Sequence, residues 1–130
     1  MSKTYIRSEA GKLFNLSRQL TCKDHGIYAA TCMICSAQYV GQTVTSFSER
    51  CGTHRSLWKS GNTENNDRAA LRVHYQKKHP DAKDIDLADA YSLTFIDKPR
   101  KPKDLDVLES VWIRRLSANI NICKTILPKF

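Results

Sequence analysis

The chain has 130 residues, 41% hydrophobic and 26% charged, with 21 Lys and Arg against 13 Asp and Glu and a formal net charge of +8. That is the composition of one ordinary globular domain with a modest core. No apolar run is long enough to span a bilayer and no secretory h-region is visible, so a membrane role is excluded and the reducing interior of the cell is the expected compartment. A globule this basic favours a polyanion as partner, although charge can also serve solubility alone. The basic residues cluster at Lys77 and Lys78, at Lys98, Arg100, Lys101 and Lys103, and at Arg114 and Arg115, which points to nucleic acid.

Residues 1–25 read as an N-terminal extension, with 1–10 as loose chain. Gly26–Thr31 alternates Ile27, Ala29 and Thr31 against Tyr28 and Ala30, a short strand pattern, and Ala37–Gln42 reads as a second strand. Ser46 and Glu49 form a capping box that opens a helix over 46–60, with Phe47, Cys51, His54 and Trp58 on one stripe and Gly61 placed to end it. After the polar run NTENND a second helix is predicted over 67–78, stopped by Pro80. Tyr91–Ile96 is the third strand. The segment DKPRKPK, within a second loose stretch at 97–104, is a basic connection. Asp104 is placed to cap a final helix reaching Leu116. The order β-β-α-α-β-α predicts an α/β sandwich with a small, mainly antiparallel three-stranded sheet and flanking helices.

If the first two strands turn at Met33-Ile34, Tyr28 faces Tyr39 and Cys32 faces Cys35. Residues two apart share a strand face, so both phenols and both thiols would project from one side. Met-Ile lacks the Gly, Asn or Asp that two-residue hairpins normally require. A metal held by the flanking thiolates would supply what the turn lacks; simple packing or a redox pair are the alternatives. Five cysteines, an odd number, stand at 22, 32, 35, 51 and 123, which argues against a disulfide scaffold. A closed zinc site needs two more ligands. His74 and His79 have zinc-finger spacing; they lie about 140° apart on an unbroken helix, but Pro80 lets His79 fold back. Cys22 and His25 are the substitutes, and the bland alternative is a solvated helix end.

Leu105, Leu108, Trp112, Ile113 and Leu116 form an apolar stripe on the final helix, and Glu109 lies inside it. A carboxylate there needs a partner arginine or a cation. Arg50 and His54 are four apart and share a helix face. Two phenols, a guanidinium, an imidazole and a misplaced glutamate suit phosphodiester hydrolysis, which needs an activated water and stabilisation of pentavalent charge.

The segments Gly26-Ile27-Tyr28 and Tyr39-Val40-Gly41 resemble the paired motifs of the GIY-YIG nuclease superfamily, with Val40 in place of the family's isoleucine. The resemblance runs from Gly26 to Asn121, and it implies a nuclease domain over 26–122 with an inserted zinc site and a tail at 123–130. It implies Arg50 and His54 on the helix after the second motif, Glu109 as the ligand of Mg²⁺ or Mn²⁺, and Asn121 as the closing asparagine. Gly26 and Gly41 take structural roles. Cysteines between the two motifs with histidines downstream are similar to the endonuclease domains of Penelope-like retroelements, which implies a structural Zn²⁺ on Cys32, Cys35, His74 and His79. The implied activity is metal-dependent nicking of DNA for a mobile element, in company with a reverse transcriptase and, in a eukaryote, in the nucleus. Tyr28 would be the general base, its pKa lowered by metal or Arg50, or acting only as it enters the transition state. Tyr39 would hold the water or phosphate, Arg50 would neutralise phosphoryl charge, and His54 would orient or share the proton relay. Lys59, Lys77, Lys78, Arg100, Lys101 and Lys103 would contact phosphates. The alternative is an inactive, zinc-stabilised nucleic-acid-binding module on the same fold.

Overall fold

The computed structural model describes residues 5–16, 23–60, 70–83 and 85–121. Its centre is an antiparallel sheet of β3 (Gly26–Cys32), β4 (Gln38–Thr43) and β5 (Tyr91–Asp97), in the order β4-β3-β5. Strand β3 is flanked on both sides, which is why its side chains are buried almost throughout. The two-residue side-chain period sorts them into two cores. Tyr28, Ala30, Cys32 and Tyr39 face α1 (Phe47–Ser60), α2 (Ala70–Lys78) and the one-turn α3 (Leu87–Ala90), packing with Trp58, Leu71, Tyr75, Leu87 and Tyr91. Ile27, Ala29 and Val40 face α4 (Leu105–Leu116), packing with Trp112, Leu116 and Ile96. The result is helices, sheet and helix in three layers, the α/β arrangement the element order predicts.

A hairpin of β1 (Tyr5–Arg7) and β2 (Leu13–Asn15) precedes these elements. Residues 5–7, expected as loose chain, are therefore a strand. Ile6 is buried against the α4 core, Phe14 meets Trp112 edge-on at 5.9 Å, and Gln38 Nε2 donates to the Arg7 carbonyl at 2.8 Å. The second expected loose stretch also has structure. Asp97 ends β5, and Pro102–Asp104 forms a 3-10 turn leading into α4. Asp104 precedes that helix without a side-chain cap bond, while Ser117 closes it in the left-handed region. At α1 the Ser46 hydroxyl does accept from the Glu49 amide, at 3.1 Å. Of the second predicted helix, 67–69 lie outside the described residues, as do Gly61 and the NTENND run.

The β3–β4 register differs from the one a two-residue turn would give. Tyr28 pairs with Gly41 and Ala30 with Tyr39. The connection holds four residues, Met33 to Ser36, closed by Cys32 N donating to Ala37 O at 2.8 Å, with Ser36 at φ 65°. The extra length explains how Met33 and Ile34 sit there without glycine: the left-handed residue is Ser36 instead. The slip is by two residues, an even number, so the face assignments survive it.

Candidate active site and metal centre

Gly41 lets Tyr28 lie directly across β4, since a β-carbon there would stand 2.5 Å from the ring's Cζ and hydroxyl oxygen. The phenol then reaches α1, where its hydroxyl is 2.6 Å from His54 Nε2. Both side chains are buried, and the Tyr39 ring packs at 6.5 Å from Tyr28 and 6.4 Å from His54. Burial and the positive Arg50 pull the His54 imidazole down from 6.5 to about 4. It is therefore neutral at physiological pH, and the tautomer decides which of the Tyr28 hydroxyl and His54 Nε2 donates to the other. Burial, then the adjacent Tyr39, pushes the Tyr28 phenol far above its ordinary value, with Arg50 opposing. Tyr39 is pushed up to about 12 by burial and then by Glu109. At Tyr28 burial thus outweighs the opposing field of Arg50.

The outer edge of β4 supplies the other half. Asn121 caps Val40 on both groups, accepting from its N–H at 2.6 Å and donating to its carbonyl at 2.9 Å. Arg50, one turn before His54 on α1, donates from Nη2 to the Gln42 carbonyl at 3.3 Å, while its Nε is buried with no hydrogen-bond partner. Glu109 approaches from α4, half-buried, close enough to act electrostatically on both tyrosines. Burial and then Asp106 raise its carboxyl pKa, and the Gln42 side chain opposes this by hydrogen bonding the charged form. Tyr28, Tyr39, Arg50, His54 and Glu109 thus gather at one edge of the sheet. Nothing in the motif spacing singles out Gln42 or Asp106, which join them; Gln42 Nε2 donates to Asp106 Oδ1 at 2.6 Å. The one legible sign is that Asp106 precedes Glu109 by three residues and so shares its helix face. Glu109, half-buried and partly open to water with Asp106 on the same helix face, is the carboxylate that could hold a hard divalent cation.

A second cluster lies at the other end of β3. Cys32, Cys35, His74 and His79 bring their ligand atoms within 4.8 Å of one another, a group that could hold a metal ion. Cys32 Sγ is 3.6 Å from His79 Nε2 and Cys35 Sγ is 3.3 Å from His74 Nε2. Tetrahedral zinc with Zn–S of about 2.3 Å and Zn–N of about 2.0–2.1 Å puts sulfur and nitrogen about 3.6 Å apart, so the spacing fits. His79 lies just beyond the last residue of α2, which lets its ring turn back to 5.4 Å from that of His74. Burial, then His79 and Lys78, lowers His74 to about 4, leaving it neutral and ready to ligate. Burial raises the Cys35 thiol, with Cys32 adding to it. His25, one residue before β3, stands at the strand's opposite end from this cluster, and Cys22 lies outside the described residues.

The side chains of Lys59, Lys77, Lys78, Arg100, Lys101 and Lys103 are all exposed. Among the described residues no helix is long and apolar enough to cross a membrane.

The solved catalytic domain of the homing endonuclease I-TevI resembles this chain with a TM-score of 0.55 at 19% identity, over 75% of this chain and 94% of that one. The likeness is one of fold: a small mixed α/β domain on a three-stranded antiparallel sheet. No protein-family model matches the chain, and no curated protein sequence matches it.

Proposed function

We propose that the chain is a GIY-YIG-type endonuclease domain that hydrolyses phosphodiester bonds of DNA with a divalent cation, Mg²⁺ or Mn²⁺. One observation carries this: the Tyr28–His54 dyad, Tyr39, Arg50 and Glu109 converge on one sheet edge in a fold shared with a homing-endonuclease catalytic domain. Water attacks phosphorus, its oxygen forming the new P–O bond as the bond to the leaving oxygen breaks. The attacking water gives its proton to the Tyr28 oxygen while Tyr28 gives its own to His54 Nε2, so no free phenolate forms in the buried site. Tyr39 orients the water or the phosphate. Arg50, with its unpartnered Nε, neutralises charge building on the phosphoryl oxygens. That building charge also offsets the field of Arg50 on His54 and makes the imidazole a better acceptor. Glu109 would hold the divalent cation, which when bound would supply Lewis-acid charge stabilisation to the phosphoryl group. The exposed Lys59, Lys77, Lys78, Arg100, Lys101 and Lys103 contact the DNA backbone.

Cys32, Cys35, His74 and His79 would hold a structural zinc ion that ties the β3–β4 turn to the end of α2. The two cysteines at the turn between the tyrosine strands, with the two histidines downstream at the end of α2, support the finer reading, an endonuclease domain of a Penelope-like retroelement. Such a domain nicks target DNA in the nucleus for a reverse transcriptase. The nuclease itself is tested with supercoiled plasmid and zinc-loaded protein. Mg²⁺ should support nicking by wild type, and Glu109→Gln should lower it at least about 100-fold with DNA affinity retained in a gel shift. Wild type that fails to nick with every divalent metal supplied would make this a zinc-stabilised nucleic-acid-binding module instead.

A further inference from the structure

We infer that the N-terminal hairpin and the C-terminal end of α4 form a second contact with the DNA backbone, through Arg7, Lys12, Arg114 and Arg115. The inference rests on the nuclease reading for its ligand and extends it to cations that reading leaves unused. Arg114 and Arg115 stand in the last turn of α4, and both are exposed. Arg7 and Lys12, also exposed, come from the β1–β2 hairpin. Packing brings the two pairs to one seam. Lys12 Nζ lies over the Phe14 ring at 5.4 Å, Phe14 meets Trp112 edge-on, and the Arg115 guanidinium lies over Trp112 at 5.0 Å. A cation laid on an aromatic face has less freedom left to lose when it meets a phosphate. The hairpin loop is held as well. Ser8 N donates to the Lys12 carbonyl at 2.8 Å, Lys12 N to Ser8 Oγ at 3.1 Å, and Arg7 Nη1 to the Gly11 carbonyl at 3.2 Å. Residues 5–16 and 110–121 hold these four cations and one carboxylate, Glu9, which accepts from the Asn119 side chain. The negative end of α4 accounts for cations at Arg114 and Arg115. It does not account for Arg7 and Lys12, which a separate element brings to the same place. The seam also lines up with the site. Gln38, at the start of β4, holds the Arg7 carbonyl at 2.8 Å, and Gln42, four residues on, meets Asp106. Seam and site thus lie at opposite ends of one sheet edge, about 13 Å apart along an extended strand. That is the length of about four base pairs at about 3.4 Å each.

The test is the salt dependence of duplex-oligonucleotide binding by the zinc-loaded chain, read by fluorescence anisotropy without Mg²⁺ so that nothing is cut. Lys12→Gln and Arg114→Gln remove exposed charges outside the catalytic constellation. Each should weaken binding about fivefold at about 0.15 M salt and lower the slope of log K against log[salt] by about 0.9, and the double variant should lower it by about 1.8. Nicking at saturating DNA and Mg²⁺ should stay within about twofold of wild type, because neither side chain touches the reacting phosphate. Lys83→Gln, which takes the same charge from an exposed position beyond α2, should leave the slope unchanged. Wild-type slopes in Lys12→Gln and Arg114→Gln overturn the inference. An equal drop in Lys83→Gln also overturns it, because net charge alone would then govern binding. Wild type that never nicks, with the slope losses confined to the hairpin and α4 variants, would instead bring down the nuclease reading and leave this contact standing, so the two failures are distinct.

Discussion

A methyl group on Gly41 would stand 2.5 Å from both Cζ and the hydroxyl oxygen of Tyr28. Carbon atoms in contact sit about 3.5–4.0 Å apart, so something must retreat by about 1 Å. β4 cannot yield easily, because Asn121 holds Val40 by both backbone groups and Arg50 holds the Gln42 carbonyl. The Tyr28 ring must move instead, and a shift of about 1 Å takes its hydrogen bond to His54, now 2.6 Å, to the limit of hydrogen-bond length. Overpacking of a filled core costs about 1–3 kcal/mol, and a lost hydrogen bond about 1 kcal/mol more. Gly41→Ala should therefore lose about 2–4 kcal/mol in denaturant unfolding. Its nicking rate at saturating Mg²⁺ should fall about 100-fold, the usual consequence of a 1 Å misplacement at a reacting group, while DNA affinity in a gel shift stays unchanged. Nicking within threefold of wild type would mean that the placement of Tyr28 does not govern the reaction, and the dyad would have to be abandoned.

His54 sets a pH dependence of stability. Its pKa is 6.5 when unfolded and about 4 when folded, so the unfolded chain binds the extra proton; stability falls as pH drops from 6.5 to 4 and is flat above. The difference corresponds to about 3 kcal/mol, and His54→Gln should show a shallower acid limb than wild type in unfolding experiments from pH 4 to 7. The Cys-His cluster predicts one zinc per purified chain by elemental analysis. Cys35→Ser should lose it with a fall in Tm of at least about 10 °C, and a zinc-free wild type of equal Tm would refute the assignment. Asn121→Ala strips both caps from Val40 at the edge of β4 and should destabilise the chain by about 1–3 kcal/mol. Denaturant unfolding within a few tenths of wild type would show that water replaces them.

Elements marked by strong local chemistry are legible in the sequence. The Ser46–Glu49 box opens α1 where expected, and YSLTFI is a strand. The N-terminal hairpin escapes because three-residue strands leave no periodicity to read, and its one buried anchor, Ile6, is a lone residue. α3 is a single turn and hidden for the same reason. The hairpin turn misleads because left-handed backbone falls on Ser36, a residue that does not advertise it; parity tolerates the slip, so Tyr28 and Tyr39 still share a face. Arg50 and His54 are one helical turn apart and visible as a pair. Gln42 is not, since its importance comes from being at a sheet edge and from a helix more than sixty residues further on.

The two clusters share strand β3, with Tyr28 and Cys32 on the same face four residues apart, about 13 Å along an extended strand. Between them runs unbroken aromatic packing: His79 against Tyr75 at 5.9 Å, Tyr75 against Trp58 at 5.3 Å, and Trp58 one helical turn beyond His54 on α1. At that separation a zinc centre contributes little electrostatically to chemistry at Tyr28, because two ligating thiolates would neutralise the ion's two charges. Its effect must pass through position. Zinc would tie the β3–β4 turn to the end of α2, α2 presents Tyr75 to Trp58, and Trp58 fixes the depth at which α1 sits on the sheet. The depth of α1 in turn sets the distance from His54 to Tyr28, which at 2.6 Å has no slack. A metal centre far from the reacting phosphate would then act on the rate by holding one helix in place, and not by any charge of its own.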